Sequence, residues 1–104
     1  MNPKMGIEVR LQDEFGSCIE SVPDPKNLLG RLLPTDSDAV LLSGIDPYGD
    51  TVFNGRQMNR FLAEWASVAA RSKTQEDRDL TGRVEHLARR CRDEIHLYLA
   101  FIGD

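Results

Sequence analysis

From Met58 onward apolar residues return every third or fourth position, and this constrains the fold more than any other feature of the chain. Met58, Phe61, Leu62, Trp65, Val68 and Ala69 form one stripe. Such spacing places them on one face of an α-helix, which must be buried against another element. Asn54, with Gln57 after it, reads as a capping box at the start of this helix. Arg71-Ser72-Lys73 suits its last turn, where cations oppose the helix dipole. A second stripe follows: Leu80, Val84, Leu87, Cys91, Ile95, Tyr98 and Ile102, joined by Ala88 and Leu99. Thr74 is its expected cap, with Asp77 in the first turn, and Gly103 its expected end. The spacing therefore predicts two helices, the second reaching Ile102. So short a link between them predicts antiparallel packing.

The first half has a different period. Ile7, Val9 and Leu11 alternate with Glu8, Arg10 and Gln12, the pattern of a half-buried strand. Asp13-Glu14-Phe15-Gly16 reads as a tight turn with Gly16 at positive φ, and residues 18–22 as a returning strand. Asp24 is placed to cap a short helix with Pro25 at its first position. Leu28, Leu29, Leu32 and Leu33 share a face of that helix, and Pro34 ends it. Thr35 to Asp38 reads as a polar loop. The apolar run Ala39-Val40-Leu41-Leu42, continued by Ser43-Gly44-Ile45, predicts an interior strand. Asp46-Pro47-Tyr48-Gly49 fits a type I turn, and Thr51-Val52-Phe53 a strand closing a second hairpin. The expected class is α+β: a small antiparallel sheet of about four strands in two hairpins. A short helix connects the hairpins, and a C-terminal antiparallel helix pair packs on one face.

A chain of 104 residues fits one domain, 1–104, with residues 1–4 a loose tail. With 40% hydrophobic and 29% charged residues it has an ordinary globular balance. The net charge of −4 is uneven. Residues 1–54 carry Lys4, Arg10, Lys26 and Arg31 against nine acids, and residues 55–104 carry nine basic against eight acidic side chains. A basic excess this small disfavours nucleic acid as a partner. No stretch has the roughly 20 apolar residues of a membrane span. The opening Met1-Asn2-Pro3-Lys4-Met5-Gly6 has no apolar run of a secretory signal. The expected location is the cytoplasm, with reduced thiols.

Few residues point to chemistry. Asp46 and Asp50 offer two carboxylates to a cation, but hard cations need more oxygen ligands than this loop supplies, and turn-making accounts for both. His86 and His96, read on one helix, stand about 15 Å apart along its axis and cannot share a metal. Cys91 lies on the apolar stripe and reads as core, as does Trp65. Arg83, Arg89, Arg90 and Arg92 are interleaved with Glu85, Asp93 and Glu94. The spacings Arg89–Asp93 and Arg90–Glu94 predict helix-face ion pairs. Neither cysteine belongs to a C-x-x-C pair, and no phosphate loop, nucleophile elbow or H-E-x-x-H helix occurs. No cofactor, metal or catalytic residue is expected.

Asp46-Pro47-Tyr48-Gly49-Asp50-Thr51-Val52-Phe53-Asn54, followed by Gln57 and an amphipathic helix, resembles a family of small uncharacterised bacterial proteins. In size, acidity and class the chain is also similar to the small immunity proteins that neutralise bacterial toxins. The second resemblance implies a partner protein and inhibition by occlusion, and carries over no site residue. The expectation is a non-catalytic protein-binding module. Its acidic surface, including Asp13, Asp46 and Asp50, meets a basic face of the partner, with Tyr48 as anchor. The alternative is a homo-oligomeric structural or regulatory protein, and the third option an enzyme with a small ligand.

Overall fold

The computed structural model describes residues 7–34 and 39–103. The tail expected over residues 1–4 and the polar loop over 35–38 lie outside them. The alternating segment forms strand β1, Glu8–Asp13, and turns into β2, Cys18–Val22. The turn is the one its residues dictate. Asp13 Oδ1 accepts from the N–H groups of Phe15 and Ser17, both at 2.9 Å, and Gly16 adopts φ 83°. Helix α1, Leu28–Leu32, follows. Asp24 caps it from farther out than the sequence suggests. Asn27 is the residue at the cap position, and the Asp24 carboxylate reaches the N–H groups of Leu28 at 2.9 Å and Leu29 at 2.8 Å.

Next come strand β3, Asp50–Asn54, helix α2, Met58–Ala70, and helix α3, Gln75–Asp93. Both expected capping boxes are present, Asn54 with Gln57 and Thr74 with Asp77. A single turn of 3-10 helix, Gly55–Gln57, intervenes between the first box and α2.

Two apolar runs exchange the roles expected of them. The last helix stops at Asp93, and Leu97–Ile102 forms strand β4. The chain leaves the helix at Glu94, which is extended at φ −109° and ψ 143°, and His96 at φ 62° lies in the turn that leads into β4, with no glycine or proline between. Conversely, Ala39–Ile45 is no strand: Leu42–Gly44 is a 3-10 turn. Glu64 on α2 accepts from the N–H groups of Leu41 and Leu42, each at 3.0 Å. Ser43, Gly44 and Ile45 donate to Ala39, Leu41 and Leu42. Backbone groups satisfied in this way have no need of a neighbouring strand.

The sheet order is β2-β1-β4-β3, antiparallel throughout. Among the described residues only β1 and β2 make a hairpin; the second expected hairpin is replaced by the pairing of β3 with β4 across two helices. As a central strand β4 is paired along both edges, by β1 and β3, and its helix-facing Leu97, Leu99 and Phe101 are buried. Val9, Leu11, Phe53, Leu97, Leu99 and Phe101 face the helices and are buried. Phe53, Phe61, Trp65 and Phe101 form an aromatic cluster there, with Phe61 and Trp65 stacked at 5.4 Å. The Trp65 indole donates to the Thr81 carbonyl at 3.0 Å, joining α2 to α3. The opposite face carries Glu8, Arg10, Gln12, Val52 and Tyr98, and no helix of the described residues covers it. Among the described residues no helix is long and apolar enough to cross a membrane.

Candidate functional site

The loop between the 3-10 turn and β3 is built by its own side chains. Gly49 N–H donates to the Asp46 carbonyl at 3.3 Å, which closes the turn. Asp46 Oδ1 accepts from Tyr48 N–H at 2.8 Å, and Asp46 N–H donates to Thr51 Oγ1 at 3.0 Å. The loop is also tied to the end of the sheet, because Gly103 N–H donates to the Gly49 carbonyl at 2.7 Å. A Cβ on Gly103 would stand 2.6 Å from Gly49 N, so only glycine permits this approach. Pinned on both sides, the turn holds Tyr48 out with 82% of its surface exposed.

Asp50 and Glu8 both stand opposite Ile102 of β4, on either side of it. They and Asp46 therefore gather at one end of the sheet. Val52 lies two residues along β3, on the uncovered face, and is 54% exposed. Arg10 moderates the charge. Its guanidinium bonds Glu8 at 3.0 Å, and this hydrogen bond and the charge of Glu8 raise its pKa, with a smaller contribution from Asp50. The corner thus offers one exposed aromatic, one exposed valine, and three carboxylates against one guanidinium.

Asp13 stands apart from this group. It pairs with Leu97, at the opposite end of β4 from Ile102. Five residues of strand separate the two ends, roughly 17 Å, and the Asp13 carboxylate is engaged in its own turn. Of the residues singled out in the sequence, Asp46, Tyr48 and Asp50 come together and Asp13 does not. Val52, Glu8 and Gly103 join the corner through pairing with β4, which the helical reading of residues 95–102 concealed. Val52 alone had a local signal, since it shares the strand face of Asp50.

Several of the other groups singled out in the sequence have structural partners. Among the described residues no group of three or more histidine, cysteine or acidic side chains is placed to hold a metal ion. Cys91 is buried, and burial pushes its thiol up to about 11, so it carries little thiolate at neutral pH. Arg90 pairs with Glu94 at 2.8 Å as the spacing predicts. Arg89 pairs with Glu85 at 2.7 Å rather than with Asp93, which bonds Arg92 at 2.7 Å. His96 is not on the helix at all; it lies in the turn before β4. No protein-family model matches the chain, and no similar curated protein or solved structure was found.

Proposed function

We propose that this chain is a non-catalytic protein-binding module that docks through the corner of Tyr48, Asp46 and Asp50. The observation that carries the reading is the rigid presentation of Tyr48. An aromatic ring exposed to 82% on a turn pinned at both ends loses little freedom on binding, and aromatic anchors dominate many interfaces. The carboxylates around it favour a partner with a basic face, and they speed encounter more than they add affinity. Occlusion of that face is the mechanism, in the manner of an immunity or inhibitor protein.

The test is a pull-down with the full chain from lysate, with nuclease, read by mass spectrometry and repeated at high salt. A stoichiometric partner is expected, released by salt. Tyr48→Ala should weaken its binding by about 2 kcal/mol, as loss of a central anchor does. Asp50→Lys should slow association, and Asp13→Ala should leave the affinity for the partner unchanged. Equal affinity for Tyr48→Ala and the parent chain would sink the reading. A second reading rests on Val52 and Ile19, 54% and 44% exposed on strands outside the core: a homo-oligomer joined through the uncovered sheet face. Sedimentation at the mass of one chain removes it.

A further inference from the structure

At the far edge of the sheet from Tyr48, β2 and α3 enclose an open groove of about 730 Å³. Glu20 and Val22 line it from the helix-facing side of β2, and Ser21 from the other side. Residues of both strand faces border the same space, so the groove opens along the edge of the strand. An edge strand presents unpaired N–H and C=O groups. Here they stand beside a helix that forms the opposite wall. We propose that this groove takes an extended acidic segment of another protein, which adds to β2 as a further strand.

The helix wall defines the chemistry of the occupant. Arg78, Gly82, Arg83 and His86 face the groove. Of the two carboxylates there, Glu20 is paired with Arg90 at 3.1 Å and with His86 at 3.5 Å, whereas Asp79 accepts from the neutral Gln75 amide at 2.8 Å and keeps its charge, so two guanidiniums face one open carboxylate. The guanidiniums of Arg78 and Arg83 make no hydrogen bond or ion pair with any described residue. Two unpaired guanidiniums select acidic side chains, which they can grip with paired hydrogen bonds. Five helical residues separate them by about 7.5 Å along the axis and about 140° around it, so they stand on the two flanks of the helix wall with Gly82 and His86 between them. Acids on an added strand would meet one arginine toward each flank.

Gly82 supports the same reading. It lies mid-helix, and a Cβ there would meet nothing within 4 Å. Glycine weakens a helix interior, and no close packing explains it at this position. Its lack of a side chain keeps the groove floor open, as a docked backbone requires. Strand addition with side-chain pockets on one wall is a known mode of peptide capture.

The test uses the full chain and three kinds of fluorescein-labelled heptapeptide: alternating valine and glutamate, its valine–lysine counterpart, and valine–glutamate peptides N-methylated at one or the other alternate set of nitrogens. Anisotropy should show binding of the glutamate peptide and none of the lysine peptide. One of the two N-methylated peptides should fail, because backbone donors of an added strand are lost. Arg78→Glu with Arg83→Glu should weaken binding by about tenfold or more. Both side chains are exposed and unpaired, so the double variant should keep its melting temperature. Gly82→Leu should block the groove, whereas Tyr48→Ala should leave peptide binding untouched, which separates this site from the Tyr48 corner. No binding of the glutamate peptide up to about 1 mM would overturn the proposal. So would full binding by both N-methylated peptides, the mark of a simple anion site, or an unchanged affinity of the arginine double variant.

Discussion

The Asp77 carboxylate accepts from Arg31 at 2.8 Å and from Lys73 N–H at 3.0 Å, while its side chain has no exposed surface. The hydrogen bond from Arg31, then those from the backbone, hold its pKa down to about 2 from an ordinary 3.8. The folded state therefore binds this proton less readily than the unfolded chain. The stability it contributes is complete above 3.8 and is lost as pH falls toward 2. Asp77→Asn should flatten the decline of the urea midpoint across that window; an unchanged slope would show that other carboxylates govern acid unfolding. Two glycines give opposite expectations. Gly82→Ala should raise stability by up to about 1 kcal/mol, the difference in helix propensity, since nothing obstructs the new methyl. Gly103→Ala should lower it by about 1–3 kcal/mol, through the clash with Gly49. Thermal unfolding of both variants checks the pair. At this scale the sequence is partly legible. The capping role of Asp77 follows from its distance to Thr74, but its ion partner lies 46 residues away on α1 and leaves no local trace.

The elements differ in how much they reveal. Helices α2 and α3 and strand β1 are fixed by period and caps. The runs 39–45 and 95–102 are short and apolar, and for such runs periodicity alone does not separate strand from helix. Tyr98 and Ile102 satisfy the helical spacing of α3 as well as the period of a strand. The helix ends at Glu94 and the turn into β4 runs through His96, in a left-handed conformation that costs a non-glycine residue about 1–2 kcal/mol. His96→Gly should be tolerated or mildly stabilising, and His96→Val should destabilise by at least about 1 kcal/mol. Equal stability of the two variants would show that the turn does not depend on that conformation. The other run depends on Glu64. Glu64→Ala leaves the Leu41 and Leu42 N–H groups without their acceptor and should cost about 1–3 kcal/mol. Amide exchange should then quicken at Leu41 and Leu42 while β1 and β4 stay protected.

The whole molecule is a sheet with helices packed on one face, and its two free edges differ. Beside β3 stands the Tyr48 corner with its carboxylates; beside β2 lies the groove with unpaired arginines. Both depend on a core centred on Trp65, which is 1% exposed and bonded to Thr81. Trp65→Ala should destabilise by about 3–5 kcal/mol and expose both edges to aggregation, measurable as a lower denaturation midpoint with loss of cooperativity. What the sequence by itself determined is local. Alternation around Val9, stripes along α2 and α3, the turn chemistry of Asp13 and Asp46, and both capping boxes each arise within a few residues. Together they specify an α+β chain with a turn that presents Tyr48. The tertiary structure decided which apolar run became the central strand, and hence the order β2-β1-β4-β3. The reason is that a strand takes its hydrogen bonds from remote segments, here β1 and β3 around β4. That choice separated Asp13 from Asp46 and Asp50, brought Gly103 against Gly49, and left β2 at an edge facing the arginines of α3.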